Sequence, residues 1–186
     1  MDQNKIIIVS GYCATGKSVF SHKLSEVLNI PCFNKDTIKE TLGDGFGSDN
    51  NLVFQKGSLA TFKIMMYFTE QFLYVNKTCI LESNFRNSEI EQIKTLLEKY
   101  NSECLSFLFK GDFDVLYQRY MKRDNIEKRH WVHKSAGETK EIFEEMHKNN
   151  GMGETGLGKV IDIDATDFKN INYEELINIT KKFLIE

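Results

Sequence analysis

Gly11-Tyr12-Cys13-Ala14-Thr15-Gly16-Lys17-Ser18 is a full match to the pattern G-x-x-x-x-G-K-[ST]. It stands directly after Ile6-Ile7-Ile8-Val9, a β-branched run suited to a strand buried on both faces. It stands directly before Phe20, Leu24, Val27 and Leu28, the stripe of an amphipathic helix that closes ahead of Pro31. A glycine-rich turn between strand and helix lets successive backbone N–H groups point into one concavity, and the helix N-terminus adds about half a positive charge facing it. Lys17 then reaches the β and γ phosphates of a nucleotide, and the Ser18 hydroxyl suits Mg²⁺. Gly11, Tyr12, Cys13, Ala14, Thr15, Gly16, Lys17, Ser18 and Val19 are therefore the expected nucleotide-binding residues, with Ser18 the expected metal ligand. A purely structural turn explains the glycines but not Lys17-Ser18.

Similar strings elsewhere lack this context. Gly151, Gly153 and Gly156 satisfy G-x-G-x-x-G, and residues 153–159 satisfy G-x-x-x-x-G-K, but neither follows a strand and the next position, Val160, has no hydroxyl. That segment reads as a flexible connector. Asn34-Lys35-Asp36-Thr37 resembles a guanine-specificity tetrapeptide, in the wrong order and too early in the chain to indicate GTP.

Further along, short strand-like runs alternate with helical periods. Cys32-Phe33 is a short strand, and Leu59, Phe62, Met66 and Leu73 mark the core face of a long helix over 58–75. Residues 78–82 form a third strand, and Ser88 with Glu91 makes a capping box that opens a helix carrying Ile90, Ile93, Leu97 and Tyr100. A fourth strand covers 104–109, and Asp112 caps a helix through Arg123. A further helix covers 135–148, a fifth strand 160–163 and a last helix 173–184. This alternation implies parallel βαβ units with right-handed crossovers, hence an α/β fold: a three-layer α/β/α P-loop architecture on a five-stranded parallel sheet, with ligands beyond the carboxyl ends of the strands.

Composition agrees with one packed domain over residues 1–186. The hydrophobic fraction is 41%, the charged fraction 27%, and 14 Phe supply core volume, which argues against disorder. No run approaches the ~18 apolar residues of a membrane span and no secretory leader is evident, so a cytoplasmic, membrane-free protein is expected. Cys13, Cys32, Cys79 and Cys104 match no metal-ligand spacing and read as reduced thiols in apolar positions. A net charge of −3 excludes a wholly basic nucleic-acid binder.

Taken with its flanks, the sequence resembles P-loop kinases of the shikimate-kinase, chloramphenicol-phosphotransferase and polynucleotide-5′-kinase type, within the nucleoside-monophosphate-kinase-like fold. Asn34-Lys35-Asp36 looks like the Asn-Arg-Asp of the polynucleotide kinases, in which the Asp activates the acceptor; Leu81-Glu82-Ser83-Asn84-Phe85 is similar to their Ser-Asp-Thr-Asn-Leu segment. Arg119 and Arg123 resemble the arginines leading into the kinase lid, here expected around 119–148, with Arg119 also nucleotide-binding. Asp164-Ala165-Thr166 resembles the loop bordering adenine. The resemblance implies ATP and Mg²⁺ as cofactors and Lys17, Asp36 and Arg123 as catalytic residues.

Chemistry supports Asp36 independently, because a carboxylate just past a strand end can take a hydroxyl proton or hold the water shell of magnesium; it equally suits an N-cap for a helix over 37–42. Lys39, one turn on, suits an anionic acceptor or plain solvent. Glu82 stands where an Asp is usual and suits an outer role at magnesium. Between Arg119 and Lys134 six basic residues (Arg119, Lys122, Arg123, Lys128, Arg129, Lys134) face only Asp124 and Glu127, as a lid arginine acting on transferring phosphoryl oxygens requires. His130, Trp131 and His133 read as lid packing or as contacts to adenine or acceptor. The expected function is transfer of the γ-phosphoryl group to a hydroxyl of a small molecule; the alternatives are a 5′-hydroxyl nucleic-acid kinase, nucleic acid being the less favoured partner, or a non-catalytic nucleotide-binding switch.

Overall fold

The β-branched run Ile6–Val9 is wholly buried because it forms most of β1 (Lys5–Gly11), the central strand of the sheet. In this computed structural model, residues 4–48, 51–126, 129–133, 139–148 and 151–186 are described, with backbone alone at 51–55 and 124–126. Five parallel strands lie in the order β2-β3-β1-β4-β5: β2 (Cys32–Asn34), β3 (Cys79–Glu82), β4 (Glu103–Lys110) and β5 (Lys159–Asp164). The described helices are α1 (Lys17–Leu28), α2 (Lys35–Phe46), α3 (Asn51–Tyr74), α4 (Asn87–Lys99), α5 (Phe113–Ile126), α6 (Lys140–Lys148) and α7 (Tyr173–Ile185), with short 3₁₀ turns at Trp131–His133 and Phe168–Asn170.

Alternate residues of β1 face the two helical layers, as the period of a strand requires. Ile7 and Val9 meet Phe20 and Leu24 of α1 and Leu176, Ile177 and Phe183 of α7, while Ile6 and Ile8 meet Phe62, Met65 and Leu73 of α3 and Ile90, Ile93 and Leu97 of α4. A third, smaller core holds Tyr12 of the glycine loop against Leu116 and Tyr120 of α5 and Phe143 of α6. This last core joins the loop to the segment expected to act as a lid.

Several elements differ from the reading of the sequence alone. Helix α2 begins at Lys35 and is capped by Asn34, whose Oδ1 accepts from the Thr37 N–H at 2.8 Å, so Asp36 lies in the first turn and is not the cap. Helix α4 begins at Asn87, and Glu89, rather than Glu91, closes the capping box by accepting from the Arg86 N–H at 3.1 Å. The buried stripe of α3 is Phe62, Met65, Thr69 and Leu73; Leu59 is exposed, and so is Val27 on α1. The helix expected over 135–148 is described from Lys140 onward, and 134–138 lie outside the described residues. Among the described residues no helix is long and apolar enough to cross a membrane.

The connector reading of 151–158 is overturned. Gly153 has φ +73° and its N–H donates to Phe85 O at 2.9 Å; a Cβ there would sit 2.3 Å from Gly11 O. At Ser106, Oγ donates to Leu157 O at 2.7 Å and accepts from the Leu157 N–H at 2.8 Å. The glycines permit close backbone approach rather than looseness.

Candidate active site

The connection after β1 runs toward the β2 edge and the one after β4 toward the β5 edge, so the glycine loop leaves the sheet where connections diverge, the usual place for a ligand in an open α/β sheet. Gly11 has φ +133°, and its missing side chain is required because a Cβ would meet Phe109 O at 2.0 Å. The Tyr12 N–H donates to the same carbonyl at 2.8 Å, and Ala14 and Gly16 also take positive φ. No side chain caps α1 at Gly16, so the N–H groups of its first turn keep their positive end for an anion.

Register then assembles the polar groups. Asn34, Glu82 and Val9 are aligned neighbours across β2, β3 and β1. The Glu82 carboxylate accepts at Oε2 from Asn34 Nδ2 and from Ser18 Oγ, the latter at 3.1 Å. Only 4% exposed, it is pushed up to about 7 by burial, with Lys17 opposing and Asp36 reinforcing the shift. Lys17 is buried, donates to Tyr12 O, and has its ammonium pulled below its usual range by desolvation; Cys13, Glu82 and Asp36 act electrostatically to restore it and Arg123 to lower it further. Loop, Glu82, Asp36 and Arg123 thus act on one point from separate elements.

Arg123 shows an unspent group. Its Nε is buried without a hydrogen-bond partner among the described residues, and its guanidinium lies 5.8 Å from the Tyr120 ring centre. Arg119 is committed elsewhere: Nη1 donates to Ala165 O at 2.5 Å and Nη2 to Thr166 O at 2.6 Å, with the guanidinium 3.9 Å from the Phe168 ring centre. The Asp164-Ala165-Thr166 loop and Arg119 are therefore one unit. Arg129 Nη1 donates to Tyr120 Oη at 3.4 Å, and Lys122 is exposed; Lys128 and Lys134 lie outside the described residues.

The Trp131–His133 turn docks on α2. His130 Nε2 is 2.9 Å from Asp44 Oδ1, His133 Nε2 is 2.9 Å from Glu40 Oε1, and Lys39 Nζ donates to Val132 O at 2.9 Å. Lys39 is therefore half-buried with one of its three ammonium donors held by the turn, and the two histidines and Trp131 pack the turn against α2. Gly43 forms the seat, since a Cβ there would come within 2.5 Å of Val132 Cγ1.

Cys79 and Cys104 are core thiols, but Cys13 is not simply apolar. Its Sγ accepts from Asn84 Nδ2 at 2.9 Å beside Lys17, and burial pushes its thiol up. Val19 is exposed on the first turn of α1. Ser18 and Glu82 are hard oxygen donors, and the described residues hold no cluster of three or more His, Cys, Asp and Glu. That donor set fits Mg²⁺, which takes one or two protein oxygens and completes its shell from phosphates and water.

Sequence reasoning missed the wall behind the loop. His147 on α6 accepts at Nε2 from the Cys13 N–H, 3.3 Å away, and Tyr12 Oη donates to Glu154 Oε1. The available signal was a histidine four residues after Phe143 on an apolar helix stripe, followed by closely spaced glycines.

No protein-family model and no curated protein matches the chain. Solved structures do. A protein of Chloroflexus aurantiacus j-10-fl with a provisional kinase description is 23% identical, with TM-score 0.80 over 99% of this chain and 97% of its own. The shikimate kinase of Bacteroides thetaiotaomicron is 14% identical, with TM-score 0.57 over 97% and 98% of the two chains. A gluconokinase from Sinorhizobium meliloti 1021 is 11% identical, with TM-score 0.54 over 99% and 92%. The chain has the P-loop α/β fold of these solved structures.

Proposed function

We propose that the protein is an ATP- and Mg²⁺-dependent phosphotransferase that moves the γ-phosphoryl group to a hydroxyl of a small molecule. The observation that carries the reading is the alignment of Asn34 and Glu82 with Ser18, with Asp36 in the first turn of α2 acting electrostatically on Lys17. With Asn34 serving as the cap, Asp36 is left to accept the proton of an acceptor hydroxyl. The uncapped N-terminus of α1 and Lys17 cradle the phosphates, and Arg123, with its unspent Nε, meets the charge that builds on the transferring group. Mg²⁺, when bound, offsets phosphate charge, and Ser18 with Glu82 behind it would hold it. Arg119 and the loop at 164–166 would border the base.

A small acceptor is favoured over a nucleic acid because Arg119 is spent on backbone carbonyls and a chain of net charge −3 is not the broadly basic surface that tracks a phosphodiester backbone. The test incubates the protein with γ-labelled ATP and either a panel of sugars, nucleosides and other alcohols or 5′-hydroxyl oligonucleotides, across a salt series. Label transfer to a small alcohol is expected. Salt-sensitive transfer to oligonucleotides alone would reverse the acceptor class, and nucleotide binding without transfer to any acceptor would favour the switch reading.

A further inference from the structure

Three contacts from one stretch of chain converge on the first three residues of the glycine loop. Gly153 packs on Gly11, Glu154 accepts from Tyr12 Oη, and His147 accepts from the Cys13 N–H. The His147 ring is fully buried between Tyr12, whose ring centre is 4.6 Å away, and Phe143, at 5.2 Å. Its Nδ1 lies 3.1 Å from Met152 O, which can only accept, so the ring proton sits on Nδ1 and the Nε2 lone pair faces Cys13. Burial lowers His147 to about 4, with Lys17 adding to that and Glu154 and the Met152 carbonyl opposing it, so the lone pair persists at neutral pH.

We propose that His147 is a positioning residue for nucleotide binding: by accepting from the Cys13 amide it holds the first half of the glycine loop in its phosphate-binding shape and ties that shape to α6. The inference rests on the phosphotransferase reading. Cys13 N–H turned toward α6 fixes the Tyr12–Cys13 peptide plane, whose carbonyl accepts from Thr15 Oγ1 and Lys17 Nζ just ahead of Ala14 and its φ of +60°. An apolar side chain of similar size would fill the space but leave this amide unpaired, and the loop would turn to find another acceptor. Lid helix and phosphate loop then move as one piece.

The experiment titrates wild type, His147→Gln and His147→Leu with MgATP by calorimetry, alongside their thermal unfolding. Glutamine offers both an acceptor and a donor; leucine offers neither. His147→Leu is expected to bind about tenfold more weakly, and His147→Gln to stay within about threefold of wild type. Long-range ¹H–¹⁵N spectra of the wild type are expected to find Nδ1 protonated, which decides the matter should the leucine variant not fold. Equal affinity of the leucine variant and wild type, or a proton on Nε2, would overturn the inference alone. A wild type that binds no MgATP would overturn the phosphotransferase reading and the inference with it.

Discussion

Glu82 and His147 are buried groups whose protonation is displaced in opposite senses. Glu82 rises from 4.5 to about 7, so its contribution to stability is complete below about pH 4.5 and is lost as the pH rises through 7. His147 falls from 6.5 to about 4, so its contribution is complete above about pH 6.5 and is lost as the pH falls through 4. The two oppose each other between those limits. Relative to wild type, Glu82→Gln is expected to leave a stability profile that falls toward acid, and His147→Gln one that falls toward neutrality, each by on the order of 3 kcal/mol over its window. Urea unfolding at steps from pH 4 to 7 reads both slopes, and slopes of the same sign would contradict the assignment. At Asp36 the expected effect is kinetic: Asp36→Asn should lower kcat by roughly 10² to 10⁴-fold while MgATP affinity holds, because Asn34 keeps the helix capped. Unchanged turnover would remove Asp36 as the base. Lys17, Asp36 and Glu82 stand out in the sequence because each lies at or after the carboxyl end of a strand, where ligands gather in such sheets. His147 could not, because its partner is 134 positions away; the Asn34–Glu82 pair, 48 apart, depends on register that no local pattern records.

Among elements, the Trp131–His133 turn and α2 form a seat whose floor is Gly43. Gly43→Ala is expected to push the turn off α2 and separate His130 from Asp44 and His133 from Glu40. Trp131 is the sole tryptophan, so its emission reports the displacement directly. A red shift in the variant is expected, with a smaller response to MgATP; an unchanged spectrum would show that the seat tolerates a methyl group. Helical stripes on α1 and α3 were legible to within a residue or two, because periodicity gives the face but not its centre, which packing against the sheet decides. The glycines at 151–158 were misread because the same composition serves a loose linker and a backbone pressed against its neighbours. Gly153 separates the two cases: Gly153→Ala is expected to weaken MgATP binding, since the added methyl must displace Gly11. Wild-type affinity would return the segment to the connector reading.

For the whole molecule, alternation of strands and helices was enough to give a parallel sheet, because βαβ crossovers allow little else. The order β2-β3-β1-β4-β5 was not legible, since a short strand run carries no label for its neighbours. That order matters, for it sets Glu82 beside the loop and Asn34 beside Glu82. Every role assigned above depends on the loop from Gly11 to Ser18 holding nucleotide phosphates. The most direct test is a calorimetric titration of wild type and Lys17→Ala with MgATP, which needs no knowledge of the acceptor. Saturable one-to-one binding by wild type is expected, weakened about 10²-fold or more when the ammonium is removed; no binding by wild type, or equal binding by both, would contradict it.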